Sequence, residues 1–298
     1  MMKISLAESL VVFRRAAAAL LCLFLIGIGF GSAARAEESA PVLRLGIVPF
    51  ASLRNILSTH GGLRDYLAEE LKRPVTIYFS PDHGAFLLDS LAGKFDVVII
   101  PGHLGIICMD AGFTPIARYA GSLSAIFVLR TDSPIKQLAD LRGKKIAFPD
   151  QFSLYSIAMP KLLRDVGLLP DLDYTFIERP NHSAAIMSAV TRETDAAATA
   201  YEPLAQMSVE VREKLKAIEG QIDFPHLFIL ASPSLGAEMI RKTRAAFERF
   251  PQTAQGRKFM LRTGYTGYVP VSAEDVRRLK PFAEITRSML GMPPPKEK

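Results

Sequence analysis

Cysteine is nearly missing from this chain: its 298 residues hold two, Cys22 and Cys108. There is no Cys-x-x-Cys, so dithiol redox chemistry is excluded. Gly-x-Ser-x-Gly, His-Glu-x-x-His and phosphate-loop patterns are also missing, which removes the usual signals for a hydrolase, a zinc protease or a nucleotide hydrolase. The histidines are five and scattered, at positions 60, 83, 103, 182 and 226. Long apolar runs are equally scarce. Ala16–Phe30 extends for 15 residues, short of the ~20 needed to span a bilayer.

That run has the marks of an export signal. Arg14 and Arg15 supply a positive flank, and Ala34-Arg35-Ala36 places small residues where a signal peptidase reads. Residues 1–36 are therefore expected to be a signal peptide, cleaved before Glu37, with a periplasmic destination. Removing 36 of 298 residues leaves 262. The leader carries four cations (Lys3, Arg14, Arg15, Arg35) and one acid (Glu8), so the net charge falls from +6 to +3. The basic balance is partly a leader effect, and no nucleic-acid partner is inferred from it. No later stretch approaches 18 apolar residues, so no membrane span is expected in the mature chain.

Short apolar runs alternate with amphipathic ones. Strands are expected at 42–48, 75–79, 95–100, 125–129, 145–148, 174–177, 196–199 and 227–231, and helices at 153–166, 182–192 and 237–250. Leu63, Tyr66, Leu67 and Leu71 fall at helical spacing. Alternation at this scale indicates parallel sheets covered on both faces. With no linker, two α/β lobes joined by crossing strands are expected. Ligands of open parallel sheets bind beyond the carboxyl ends of the strands, so two facing lobes make a cleft.

Five segments carry a resemblance. Gly46-Ile47-Val48-Pro49, Phe95-Asp96-Val97-Val98, Ala111-Gly112-Phe113-Thr114-Pro115-Ile116-Ala117, Leu138 to Phe148 and Asn181-His182-Ser183-Ala184-Ala185 follow the order seen in periplasmic phosphonate/phosphite-binding proteins. The resemblance implies the type II periplasmic binding protein fold: two α/β lobes joined by two hinge strands, with an interlobe ligand cleft. The lobes are expected at 37–122 plus 227–298 and at 123–226. It also implies binding without turnover, an ABC permease as one partner, and no cofactor.

One motif departs from the pattern. Phosphonate-binding members carry Ser-Thr-Ser-Gly at a helix start, seven residues before a proline. Counting back from Pro160, this chain has Ser153-Leu154-Tyr155-Ser156. Backbone N–H groups and short hydroxyls at a helix start cradle an anion. Leu154 removes a hydroxyl and Tyr155 fills space, which disfavours a tight phosphonate site. Ser153 reads equally well as a simple helix cap.

Cys108 follows the buried strand 95–100, whose end is expected to face the cleft. A lone exported thiol is either a small buried hydrophobe or a group retained for its sulfur. Trivalent arsenic is soft and suits thiolate sulfur, and arsenous acid is uncharged at neutral pH. The segment resembles that of periplasmic arsenite-binding proteins of the phosphonate-binding type, which hold a single mature cysteine here and serve a membrane sensor histidine kinase. This implies Cys108 as the arsenite ligand, with His103, Ser153, Tyr155 and Ser156 as candidate partners of the arsenic hydroxyls. His103 with Cys108 and Met109 is also weighed as a copper site. His182, Arg118-Tyr119 and Tyr201-Glu202-Pro203 read equally as structural or ligand-facing.

Overall fold

Apolar strands flanked by capped helices build two separate sheets in the computed structural model, which describes residues 40–294. The expected signal peptide, residues 1–36, lies outside the described residues. The first half reads β1 Leu43–Ile47, α1 Leu53–Leu71, β2 Val75–Tyr78, α2 His83–Leu91, β3 Val97–Ile100, α3 Gly102–Asp110 and β4 Thr114–Tyr119. The chain then passes into β5 Ser122–Arg130, β6 Lys145–Pro149, α4 Leu154–Asp165, β7 Thr175–Arg179, α5 His182–Val190, β8 Ala196–Ala200, α6 Tyr201–Ala205, α7 Val209–Arg212 and β9 Leu215–Pro225. It returns through β10 Phe228–Ala231, α8 Ala237–Arg249, α9 Ala254–Thr263, β11 Tyr268–Val269 and α10 Ala273–Met289.

The first sheet has the order β11-β4-β10-β3-β1-β2 and the second the order β7-β6-β8-β5-β9. In the first, β1 runs parallel to β2 and β3. In the second, β6 runs parallel to β7 and β8. The returning strands β10 and β5 lie antiparallel to their neighbours. β3 lies inside its sheet between β10 and β1 and is buried at every position, which is why Val97 to Ile100 reads as an unbroken apolar run. Sidedness differs at β1, where half-buried Arg44 is held by Asp96 at 2.7 Å.

Two short passages carry the chain between sheets, from Tyr119 to Ser122 and from Pro225 to Phe228. They run side by side: the Tyr119 N–H donates to Leu227 O at 3.0 Å, and Ser122 pairs with Pro225. Gly121 takes φ +84° at the first passage, a conformation open to glycine without a Cβ clash. Arg118 braces the same turn through its carbonyls at Tyr119 and Gly121 and through Asp275 at 2.9 Å. First-sheet strands fall within 43–119 and 228–269 and second-sheet strands within 122–225. On that support we propose lobes at 37–122 plus 227–298 and at 123–226. Among the described residues, no helix is long and apolar enough to cross a membrane.

Candidate functional site

Helix starts define the space between the lobes. A strand that ends at a sheet edge feeds a polar cap and then a helix, so the N-termini of α2, α3, α4, α5 and α6 all contribute to one cavity, through His83, Gly102, Ser153–Tyr155, His182 and Glu202. Asp82 caps α2, Ser153 caps α4 and Asn181 caps α5. α3 starts after Pro101 and α6 after Ala200 without side-chain caps. Uncapped N–H groups and helix dipoles give the cavity partial positive charge. The crossing passage closes the back with Pro225, His226 and Leu227.

The cavity is about 40 Å³. One water needs about 10–15 Å³ on this measure, so the space suits a ligand of a few heavy atoms. Hydrogen bonds join the lobes around it. The His83 N–H donates to Asp150 Oδ2 at 2.8 Å, the His182 N–H to Phe50 O at 3.2 Å, His103 Nε2 to Phe152 O at 3.0 Å, and Gln206 Nε2 to Thr263 O at 3.4 Å.

Among the described residues, no lysine or arginine lines the cavity. Its ionisable lining is an acid and histidines. Burial raises the Glu202 carboxyl above its usual range, partly offset by a backbone hydrogen bond. Burial lowers His182 and His226 to about 3, His83 and Arg118 respectively adding to the effect, so both rings are neutral. Besides His83 Nδ1, which lies 3.0 Å from Asp150 Oδ2, three lining groups hold buried polar atoms without a hydrogen-bond partner among the described residues: Tyr155 OH, Glu202 Oε2 and a ring nitrogen of His226. Each such atom carries a cost of about 1–3 kcal/mol while unpaired. A ligand that pairs them recovers it.

The structure brings only part of the expected set together. Ser153 and Tyr155 line the cavity; Ser153 accepts from the Tyr155 N–H at 3.2 Å as a cap. The Tyr155 ring stands edge-on to His182 and Phe224. Ser156 turns its hydroxyl to Pro149 O instead. His103 is fully buried beside the cavity, occupied with Phe152 O and lowered to about 3 by burial. Cys108 lies in the last turn of α3, fully buried and outside the cavity lining. It is six residues past Gly102, about 9 Å along the helix axis. Burial pushes its thiol up to about 12, with Arg287 pulling weakly the other way. His103 and Cys108 are five residues apart on one helix, so their side chains leave it in different directions. Among the described residues no group of three or more His, Cys, Asp or Glu is placed to hold a metal ion.

His83, Phe50, His226 and Tyr265 line the cavity without having been singled out as ligand candidates from the sequence. His83 carried the best signal, as the residue after the helix-capping Asp82. His226 sits in the crossing passage, whose role emerges only once the two sheets are seen.

Two α/β lobes, two crossing strands and a small cavity ringed by helix starts define a two-lobed solute-binding protein. The chain belongs to the phosphonate-type family: the model described as "ABC transporter, phosphonate, periplasmic substrate-binding protein" matches residues 45–276. A binding protein component of an ABC phosphonate transporter from Pseudomonas aeruginosa is similar at 17% identity, over 84% of this chain and 88% of that one, with a TM-score of 0.72. PhnD1 from Prochlorococcus marinus, solved in complex with methylphosphonate, is similar at 12% identity, over 83% and 98%, also at 0.72. The periplasmic aliphatic sulphonate binding protein SsuA from Escherichia coli is similar at 17%, over 86% and 90%, at 0.61. The fold is that of type II periplasmic binding proteins, and the family consists of substrate-binding proteins, not enzymes.

Proposed function

We propose that this protein is a periplasmic receptor for arsenite, taken up as uncharged arsenous acid, and that it reports occupancy to a membrane sensor histidine kinase. The chemistry of the cavity carries the reading. The space suits a few heavy atoms, no lysine or arginine lines it among the described residues, and Tyr155, His226 and Glu202 offer a phenol, a neutral imidazole and a carboxyl of raised pKa. A phosphate dianion finds there the partial charge of the helix starts and His83, which Asp150 already engages at 3.0 Å, and Glu202 repels it when ionised. An uncharged hydroxylated acid meets helix N–H donors, a phenol and an acceptor carboxyl. The kinase partner rests on the resemblance at His103–Met109.

Cys108 is proposed as the covalent ligand in a second stage. The step is a condensation: an As–S bond forms, one As–O bond breaks, and the thiol proton leaves with the hydroxyl as water. Arsenic stays trivalent. Because Cys108 lies buried in the last turn of α3, this stage requires that turn to open, whereas capture in the cleft does not.

The family favours a second reading, in which the protein delivers a phosphonate or phosphite to an ABC permease. A thermal-shift panel of arsenite, antimonite, phosphite, phosphate and methylphosphonate separates the two. A ligand at 100 times its Kd stabilises by about 2.7 kcal/mol. Arsenite is expected to raise the melting temperature and methylphosphonate to leave it unchanged; the reverse pattern replaces the first reading by the second. Arsenic K-edge absorption then assigns the bond. An As–S path in the wild type that vanishes in Cys108→Ser supports covalent capture, and oxygen-only coordination in the wild type confines arsenite to the cleft.

A further inference from the structure

His226 stands in the passage between β9 and β10, where the chain returns to the first lobe. Its Nδ1 lies 2.8 Å from the backbone N–H of Leu227, which donates to it. A backbone amide only donates, so Nδ1 must be the unprotonated ring nitrogen and the ring proton sits on Nε2. The neutral state agrees with this, since protonating Nδ1 would break the Leu227 bond. His226 is 3% exposed and its Nε2 has no partner among the described residues. The rings of Tyr119 and Tyr265 hold the imidazole at centroid distances of 5.2 and 4.8 Å. The imidazole is therefore a donor of fixed tautomer and fixed orientation, in a cavity where it has nothing to donate to.

Glu202 presents the opposite character. Its Oε2 is buried and unpaired in the same cavity, and it lies on α6 in the second lobe, whereas His226 lies on the crossing passage. A ligand that satisfies both must carry an oxygen that accepts and a hydroxyl that donates. Fully deprotonated oxyanions have the first without the second.

We infer that His226 is a specificity-determining ligand contact, whose Nε2–H donates to an oxygen of a small oxyacid while Glu202 accepts from a hydroxyl of the same molecule. The inference deepens the cleft reading proposed above and rests on it. The ligand class it selects is the protonated oxyacid of a few heavy atoms, whatever its central element.

Two substitutions split the ring's two jobs. Asparagine keeps an acceptor near Nδ1 and loses the Nε2 donor; glutamine places an amide donor near Nε2 and loses the acceptor for Leu227. With sodium arsenite as probe, His226→Asn is expected to keep the ligand-free melting temperature and lose about tenfold in affinity, the scale of one hydrogen bond to a ligand. His226→Gln is expected to lose ligand-free stability while recovering most of the affinity that asparagine loses. Affinity retained in His226→Asn, or affinity losses in both variants that track their losses of stability, would overturn the assignment. The two proposals fail differently. If methylphosphonate shifts the wild type and arsenite does not, the arsenite reading falls, and the same Asn/Gln split measured with methylphosphonate still upholds His226. If no oxyacid of the panel shifts the wild type, the His226 inference falls with the reading.

Discussion

Tyr155 shows how one residue trades ligand-free stability for binding. Its ring lines the cavity and packs edge-on against His182 and Phe224, and its hydroxyl is buried without a partner among the described residues. Burial, then the nearby Glu202, pushes the phenol well above its usual pKa, so it remains a neutral donor at any physiological pH. Removing the oxygen alone leaves the packing in place. Tyr155→Phe is therefore expected to match or exceed the wild type in ligand-free stability, by up to about 1 kcal/mol, because an unpaired buried hydroxyl is lost. Arsenite affinity is expected to drop about tenfold in the same variant. Chemical denaturation and calorimetry on the two proteins test this; a loss of stability with unchanged affinity would make the hydroxyl a structural group. Cys108 is the contrasting case. Its zero exposure and raised pKa are those of a small hydrophobe packed in a core.

At the scale of elements, α3 links the cleft to the core. Gly102 opens it at the cavity, and a Cβ there would meet Leu279 Cδ1 at 2.4 Å and the Phe228 ring at 3.0 Å. Both neighbours are fully buried, so neither yields freely. Gly102→Ala is expected to cost about 1–3 kcal/mol through overpacking against α10 and β10, and to weaken ligand binding by shifting the first turn of α3; a urea midpoint equal to that of the wild type would show that Leu279 repacks. The elements also show what the sequence made legible. Strands β1, β2, β3, β5, β6, β7, β8 and β10 and helices α4, α5 and α8 fall where apolar runs and helical spacing place them, most plainly β3 and β8, which are buried at every position. β9 was missed. Its sequence, Leu215 to Pro225, mixes charges and a glycine, and it is an edge strand paired only to β5, so the partner rather than the pattern makes it a strand. β4 was hidden by Pro115. Two helix starts of the cavity were legible, at Ser153 and His182, whereas His226 and Tyr265 enter it through long-range topology that periodicity does not encode.

The whole molecule keeps four histidines as buried neutral bases, and this sets how it responds to acid. Burial lowers His60 to about 4 and His103, His182 and His226 to about 3. In the unfolded chain each titrates near 6.5. Between those values the unfolded state binds more protons, so stability rises with pH. The contribution is complete above about 6.5, and it is lost as pH falls toward the folded values. Each histidine contributes a slope of up to about 1.4 kcal/mol per pH unit, and four give about 5.5 kcal/mol per unit near pH 5. Carboxylates act elsewhere. Burial pushes Asp150 up, but hydrogen bonds from His83 and Phe152, with the charge of His83, hold it below the usual range. Its stabilisation is therefore present above about 4 and lost below. Glu202, with a raised pKa, acts in the opposite sense as a single group, favouring the folded state at the acid side of its titration. The histidines outweigh it. Against a total stability of about 5–15 kcal/mol, the protein is expected to hold an almost constant urea midpoint from pH 8 to 7, to lose stability steeply between 6 and 4.5, and to unfold without urea near pH 4. A midpoint independent of pH from 7 to 5 would mean that these imidazoles reach water in the folded state, and with that the neutral state assigned to His182 and His226 in the cavity would have to be abandoned.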